Sequence, residues 1–278
     1  MKTQSCMNRL LWITLLVIGL SGCSEESSSS EENTESGTIQ DGDHTDNATV
    51  IQLNSSDQYQ TVEGIGGGIA NYENWYCQHP NKKELFDLIF KDLEISMIRI
   101  GNWYEKKISG ENPDILKQQK EIMDAATQRL GRSNFSVMMS NWLVAPDLID
   151  RPKEKGATLK RNNEGKYMYK EFGEWCRMTL KAYQEADMSP DYLSMMNEPD
   201  GDNSAGTKIR LGYGIDDSQK ANYGKALEAT YEAFKEVSDR PKLIGPEVLG
   251  IGYGTFSNYY RDLNPESLAK FGKKRSPL

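Results

Sequence analysis

A repeating alternation constrains this chain more than any other feature: from about Ala48 onward, short apolar strands are followed by amphipathic helices. Thr49-Val50-Ile51-Gln52-Leu53 reads as a leading strand, with Asn54 to Asp57 as its turn. Gln60 to Ala70 then holds the run Gly64-Ile65-Gly66-Gly67-Gly68. A helix is predicted over about 81–93, where Leu85, Phe86, Ile89, Phe90 and Leu93 fall at helical spacing. Ser96 to Ile100 has the compact pattern of a buried strand, and a helix from about Asp114 to Leu130 is stopped by Gly131. The cycle repeats with a strand at Phe135 to Met139 and a helix at Tyr167 to Ala186, striped by Phe172, Trp175, Cys176, Thr179, Leu180 and Tyr183. A strand at Tyr192 to Met196, a helix at Ser218 to Val237, a fifth strand at Lys242 to Gly245 and a short helix near Pro265 complete the series.

Strands alternating with helices imply a parallel sheet with right-handed crossovers. Two α/β architectures compete, the closed (β/α)8 TIM barrel and the open doubly wound sheet. The open sheet favours a G-x-G-x-x-G nucleotide fingerprint, which the glycine run fails: Ile69 and Asn71 stand where its last glycine belongs. Polar and aromatic residues gather instead just after the strands, where barrel active sites lie. The expected fold is therefore a TIM barrel, incomplete here at about five β/α units. Five-eighths of a barrel leaves open strand edges, so a truncated C-terminus is expected.

The segment ahead of this domain has a different character. Lys2 and Arg9 precede the apolar run Leu10 to Leu20, too short to cross a bilayer but suited to a signal peptide. The run ends in Leu20-Ser21-Gly22-Cys23, similar to a bacterial lipobox, so 1–22 is expected to be removed and Cys23 lipidated. Residues 23–47, rich in Ser and Glu, read as a flexible tether, and 48–278 as the barrel domain. The expected location is the cell envelope, lipid-anchored at the outer membrane surface. Without Lys2 and Arg9 the 33 basic residues fall to 31 against 41 acidic ones. Such acidity argues against a nucleic-acid partner and suits a neutral polysaccharide. Beyond Cys6 and Cys23 only Cys77 and Cys176 remain, too few for a disulfide framework, and both are expected to be free, packed thiols. With two histidines, His44 and His79, neither a zinc site nor a catalytic triad is well supplied, and no metal or cofactor is expected.

The residues after each strand carry the candidate chemistry. The first strand is followed by Asn71, Tyr72, Glu73, Asn74 and Trp75, and the second by Asn102, Trp103, Tyr104 and Glu105, with Arg99 inside it. Ser140, Asn141 and Trp142 follow the third, Asn197 and Glu198 the fourth, and Glu247 the fifth. Aromatic faces stack on sugar rings while amides and carboxylates match hydroxyls, so the set suits a carbohydrate cleft. Core or lid packing is the competing reading for Trp75, Trp103 and Trp142. Asn197-Glu198-Pro199 is the sharpest element. A partly desolvated Glu at a strand end can protonate a glycosidic oxygen, and the preceding Asn can hydrogen-bond a 2-hydroxyl.

Placed after a fourth strand, Asn197-Glu198-Pro199 resembles the acid/base motif of clan A retaining β-glycosidases. Gln60-Thr61-Val62-Glu63-Gly64-Ile65-Gly66-Gly67 is similar to the "Q-T-x-x-G-x-G" opening of glycoside hydrolase family 30. Met97 to Ile100 looks like that family's second strand with its Arg, and Ser140 to Pro146 loosely matches its third. The third segment lacks the second Trp and the "P-x-W-M" run common in the family. Over about Val50 to Gly250, the resemblance implies that Glu198 is the acid/base of a retaining hydrolase of xylan-like or related glycans. It further implies that Asn197 contacts the nucleophile or 2-hydroxyl region, and that Arg99 and Trp142 line the substrate subsite. The leading strand would join a β-sandwich side domain. The family's nucleophile follows a seventh strand, so it is expected to be missing here, and Glu247 is left with a cleft-lining role or a purely structural one. The alternative is a non-catalytic glycan-binding surface lipoprotein.

Overall fold

The computed structural model describes residues 56, 61–201, 208–250 and 255–263. The chain divides into two compact units, Met1–Gln58 and Tyr59–Leu278. The signal segment, Cys23, the tether, the leading strand and the helix expected near Pro265 all lie outside the described residues.

In chain order the elements of the second unit begin with β1 (Gly66–Gly68), α1 (Glu73–Gln78) and α2 (Lys82–Asp87), which runs into a π-helical turn at Leu88–Asp92. Then come β2 (Met97–Asn102), α3 (Tyr104–Ile108), α4 (Ile115–Leu130), β3 (Ser136–Asn141), α5 (Tyr169–Glu185) and β4 (Tyr192–Ser194). Two short strands, β5 (Leu211–Gly212) and β6 (Ala221–Asn222), precede α6 (Tyr223–Ala233), β7 (Lys242–Ile244) and α7 (Thr255–Asp262). β1, β2, β3, β4 and β7 form one sheet in that order, every neighbouring pair parallel, and β5 pairs with β6 separately. Five parallel strands with helical crossovers make part of a (β/α) barrel, as the alternation predicts.

Side chains stand roughly perpendicular to a sheet, so those three strands apart on a flat one, about 14 Å, do not meet. Here they do. Arg99 of β2 reaches Asn197 beyond β4 and Glu247 beyond β7, and Tyr192 of β4 donates to Glu63 ahead of β1 at 2.9 Å. The sheet is therefore curled as a barrel wall is.

Period-two alternation sorts the strand residues. Ile98, Ile100, Val137, Met139 and Leu193 are fully buried and share a core with Phe172, Leu180 and Tyr183 of α5. Each such side chain contributes roughly 1.5–3 kcal/mol by leaving water. The stripe read for α5 is buried throughout, and burial pushes its Cys176 thiol up to about 12, consistent with an inert packed cysteine. Cys77 is also free, in a half-buried position.

Local chemistry fixes the ends. Gly131, at φ 81°, takes a positive-φ conformation open to glycine and ends α4. α6 starts at Tyr223 rather than near Ser218 because the Asp217 carboxylate accepts from the Gln219 and Lys220 amides and turns the chain, after which Asn222 caps the Lys225 amide at 2.8 Å. β4 is shorter than the apolar run 192–196 predicts. α7 was not legible in the sequence; it buries Tyr259, whose hydroxyl donates to the Leu211 carbonyl.

Candidate functional site

The carboxyl ends of the strands surround a cleft of about 850 Å³ whose lining includes Trp103, Glu105, Lys106, Trp142, Glu198 and Lys208. Glu198 sits beyond β4 with φ 47°, a left-handed conformation that costs a non-glycine residue about 1–2 kcal/mol. Three contacts hold this turn. The Glu198 amide donates to the Glu247 carbonyl at 2.7 Å, the Glu198 carbonyl accepts from Gly201 at 2.9 Å, and Pro199 accepts from Leu211. The Glu198 carboxylate takes an ion pair from Lys208 at 2.7 Å, whose side chain is only 6% exposed. A buried ammonium needs such a partner. Lys208 is absent from the sequence reading; no periodicity marks it, since it stands in a loop ten residues after Glu198.

Beneath Glu198 lies a polar cluster. Arg99 donates to Asn197 Oδ1 at 2.6 Å, to Ser140 Oγ at 3.2 Å and to Glu247 Oε1, which also accepts from Ser140 Oγ at 3.1 Å. Asn197 and Glu247 are parallel bridge partners just beyond the neighbouring strands β4 and β7. Asn197 Nδ2 and Glu247 Oε2 are buried without a hydrogen-bond partner among the described residues. Arg99 and Asn197 thus support the turn that carries Glu198. Glu247 packs under the cleft and is not part of its lining.

The aromatic wall is built from below. Trp142 stacks on Trp103 with centroids 5.2 Å apart, the Arg99 guanidinium lies 4.2 Å from the Trp142 ring centre, and Lys106 Nζ lies 4.3 Å from that of Trp103. Trp103 Nε1 donates to Glu73 at 2.6 Å, and Gln119 donates to the same oxygen at 3.0 Å. At Gly101 a Cβ would stand 2.4 Å from the Trp103 ring, so only glycine lets the indole lie so close to β2. Burial raises the Glu73 carboxyl above the ordinary glutamate range, despite the hydrogen bonds that oppose it. Glu105 is alike: it is buried, accepts from Trp175 Nε1 at 2.8 Å, and is raised by burial, with Trp175 opposing and the Asp147 charge adding.

Of the residues expected to bind substrate, Arg99, Asn197 and Glu247 lie beneath the cleft rather than in its lining, and two more, Asn141 and Trp75, are elsewhere. Asn141 is fully buried; its Oδ1 accepts from Asn102 at 2.9 Å and its Nδ2 donates to the Met195 carbonyl at 3.2 Å. The strand period decides this: Ser140 faces the concave side, so Asn141 faces the helices, near Cys176. Trp75 lies on α1, 55% exposed, against Tyr76 and His79, and does not line the cleft. Among the described residues no cluster of His, Cys, Asp and Glu is suited to hold a metal ion.

No family model and no curated protein matches the chain. Solved structures do. A family 30 subfamily 8 xylanase from Clostridium acetobutylicum aligns with TM-score 0.56 and 14% identity, over 79% of this chain and 50% of its own. The catalytic domain of a family 30 xylanase C from Talaromyces cellulolyticus aligns with TM-score 0.54 and 12% identity, over 77% and 52%. An endo-beta1,6-glucanase aligns with TM-score 0.52 and 13% identity, over 70% and 46%. At these identities the likeness is one of fold. The chain spans about half the length of these structures.

Proposed function

We propose that this fold, shared with glycoside hydrolases of family 30, serves the same class of chemistry here: binding a β-linked glycan and cleaving it with Glu198 as general acid/base. The supporting observation is that Glu198, held on a strained turn at the carboxyl end of β4, lines a cleft walled by Trp103 and Trp142. In a retaining mechanism Glu198 protonates the departing oxygen and later activates water, while a second carboxylate about 5–5.5 Å away attacks the anomeric carbon. No described residue is assigned that second role. The substrate class is a xylan-like or related β-glycan. Release of reducing ends from xylan and from a β-1,6-glucan tests this reading, with Glu198→Gln abolishing release and sparing binding.

A second reading, glycan binding without turnover, is favoured by one observation: Lys208 occupies Glu198 Oε2. Binding of the same glycans with no release of reducing ends would support it. Absence of binding would sink both. The lipobox-like Leu20-Ser21-Gly22-Cys23 supports anchoring at the cell surface. Labelling with a radioactive fatty acid, lost in Cys23→Ala, tests that proposal.

A further inference from the structure

Three carboxyls line the cleft, Glu105, Glu111 and Glu198, and Glu105 is the buried one outside the Asn-Glu-Pro motif. It sits on α3 directly after Trp103 and Tyr104, and although it lines the cleft its residue is only 7% exposed. Oε1 is held by the Trp175 indole, and no cation pairs with the carboxylate among the described residues. The charged groups around it are otherwise engaged or distant from pairing. Lys106 of the same helix pairs with Glu111 at 3.6 Å, Lys208 pairs with Glu198, Asp147 in the turn after β3 adds negative charge, and Lys153 lines the cleft as an exposed side chain. A carboxylate buried without a counter-ion is costly, and a ligand covering it removes what water remains.

We propose that Glu105 contacts the glycan in its protonated form, donating a hydrogen bond from Oε2 to a sugar oxygen, so that binding takes up one proton. This rests on the glycan reading of the cleft. A neutral carboxyl donates where a carboxylate only accepts, so the residue selects a neutral acceptor oxygen. Burial, which already raises this carboxyl, acts in the same direction. The proton comes from solvent, and linkage limits the effect to a tenfold fall in affinity per pH unit above the free group's pKa.

The test combines two measurements on the full chain. First, the Trp175 indole N–H resonance reports Glu105 directly. It should titrate with a midpoint above the ordinary glutamate range in the wild type and be flat in Glu105→Gln. Second, affinity for xylohexaose and for a β-1,6-linked gluco-oligosaccharide is measured across that pH range. Wild-type affinity should fall by up to tenfold per unit, while Glu105→Gln, which keeps an acceptor for Trp175 and a donor for the sugar, stays flat. Glu105→Ala should bind at least tenfold more weakly at low pH. An unchanged pH profile in Glu105→Gln, or no titration at Trp175, overturns the proposal. Wild-type chain that binds neither oligosaccharide at any pH overturns the glycan reading itself, and the Trp175 titration still shows whether Glu105 carries the proton.

Discussion

The two ends of the curled sheet are built from the same strands and treat polar groups in opposite ways. At the amino end, Arg132 pairs with Asp191 at 2.9 Å and donates to the Phe135 and Ser189 carbonyls, while Asp191 also accepts from the Val137 amide. Both side chains keep substantial access to solvent, 41% and 30%. At the carboxyl end, Asn197 Nδ2 and Glu247 Oε2 are buried without partners, Lys208 is buried on Glu198, and burial raises Glu73 and Glu105. Barrel folds concentrate stability at one end and ligand chemistry at the other. Apart from Arg240, whose buried Nε lacks a partner just ahead of β7, the costly polar burial among the described residues gathers at the carboxyl end, which makes that end the candidate functional one.

The contrast can be broken by experiment, beginning with the largest effect. In a form that carries the family's nucleophile, Glu198→Gln is expected to lower glycan hydrolysis by about 10²–10⁴-fold with little change in melting temperature, since general acid/base catalysis is worth that much. An unaltered kcat would remove Glu198 from the chemistry. Arg99→Met strips the cation from Glu247, and because the pair retains 30% and 19% side-chain exposure the expected loss is about 2–3 kcal/mol, near the lower range for buried pairs. Urea denaturation measures it. A loss no larger than at the amino end would show that the cluster beneath the cleft is not under electrostatic load.

Glu73 gives a smaller, pH-dependent effect. Its native pKa lies above the unfolded value, so the native state holds the proton more tightly. Stability is full below the ordinary glutamate range and is lost as pH rises through the raised native value. Glu73→Gln should flatten this slope in denaturation curves taken across that window, while leaving the Trp103 N–H an acceptor. At the amino end, Arg132→Ala should cost only about 1 kcal/mol, as solvated pairs do. A cost matching that of Arg99→Met would erase the difference between the ends.

Much of the barrel wall was legible because period carries it. The stripe Phe172 to Tyr183 and the run Met97 to Ile100 each announce the element they form. Glu198 was legible because a distinctive tripeptide follows a strand. Asn141 misled, since nearness to a strand end does not say which face a side chain takes, and one residue of parity sends it to the helices. Trp75 was placed by strand-end position alone and packs on α1 instead. Lys208 and the cross-sheet reach of Arg99 depend on curvature and loop return, which leave no local pattern. Glu105 was visible as a residue type, but its isolation from cations emerges only from its surroundings.

Gly101 has a consequence for what the cleft can hold. Because a single carbon there would collide with the Trp103 indole at 2.4 Å, and Trp142 rests on that indole, the depth of the aromatic wall is gauged by a hydrogen atom. Any larger side chain would force the Trp103 indole, and Trp142 with it, to shift at the cleft wall. Gly101→Ala should therefore act as a spacer, altering the width of the cleft and the chains it selects, so that the bore of this groove is written at a position with no side chain of its own.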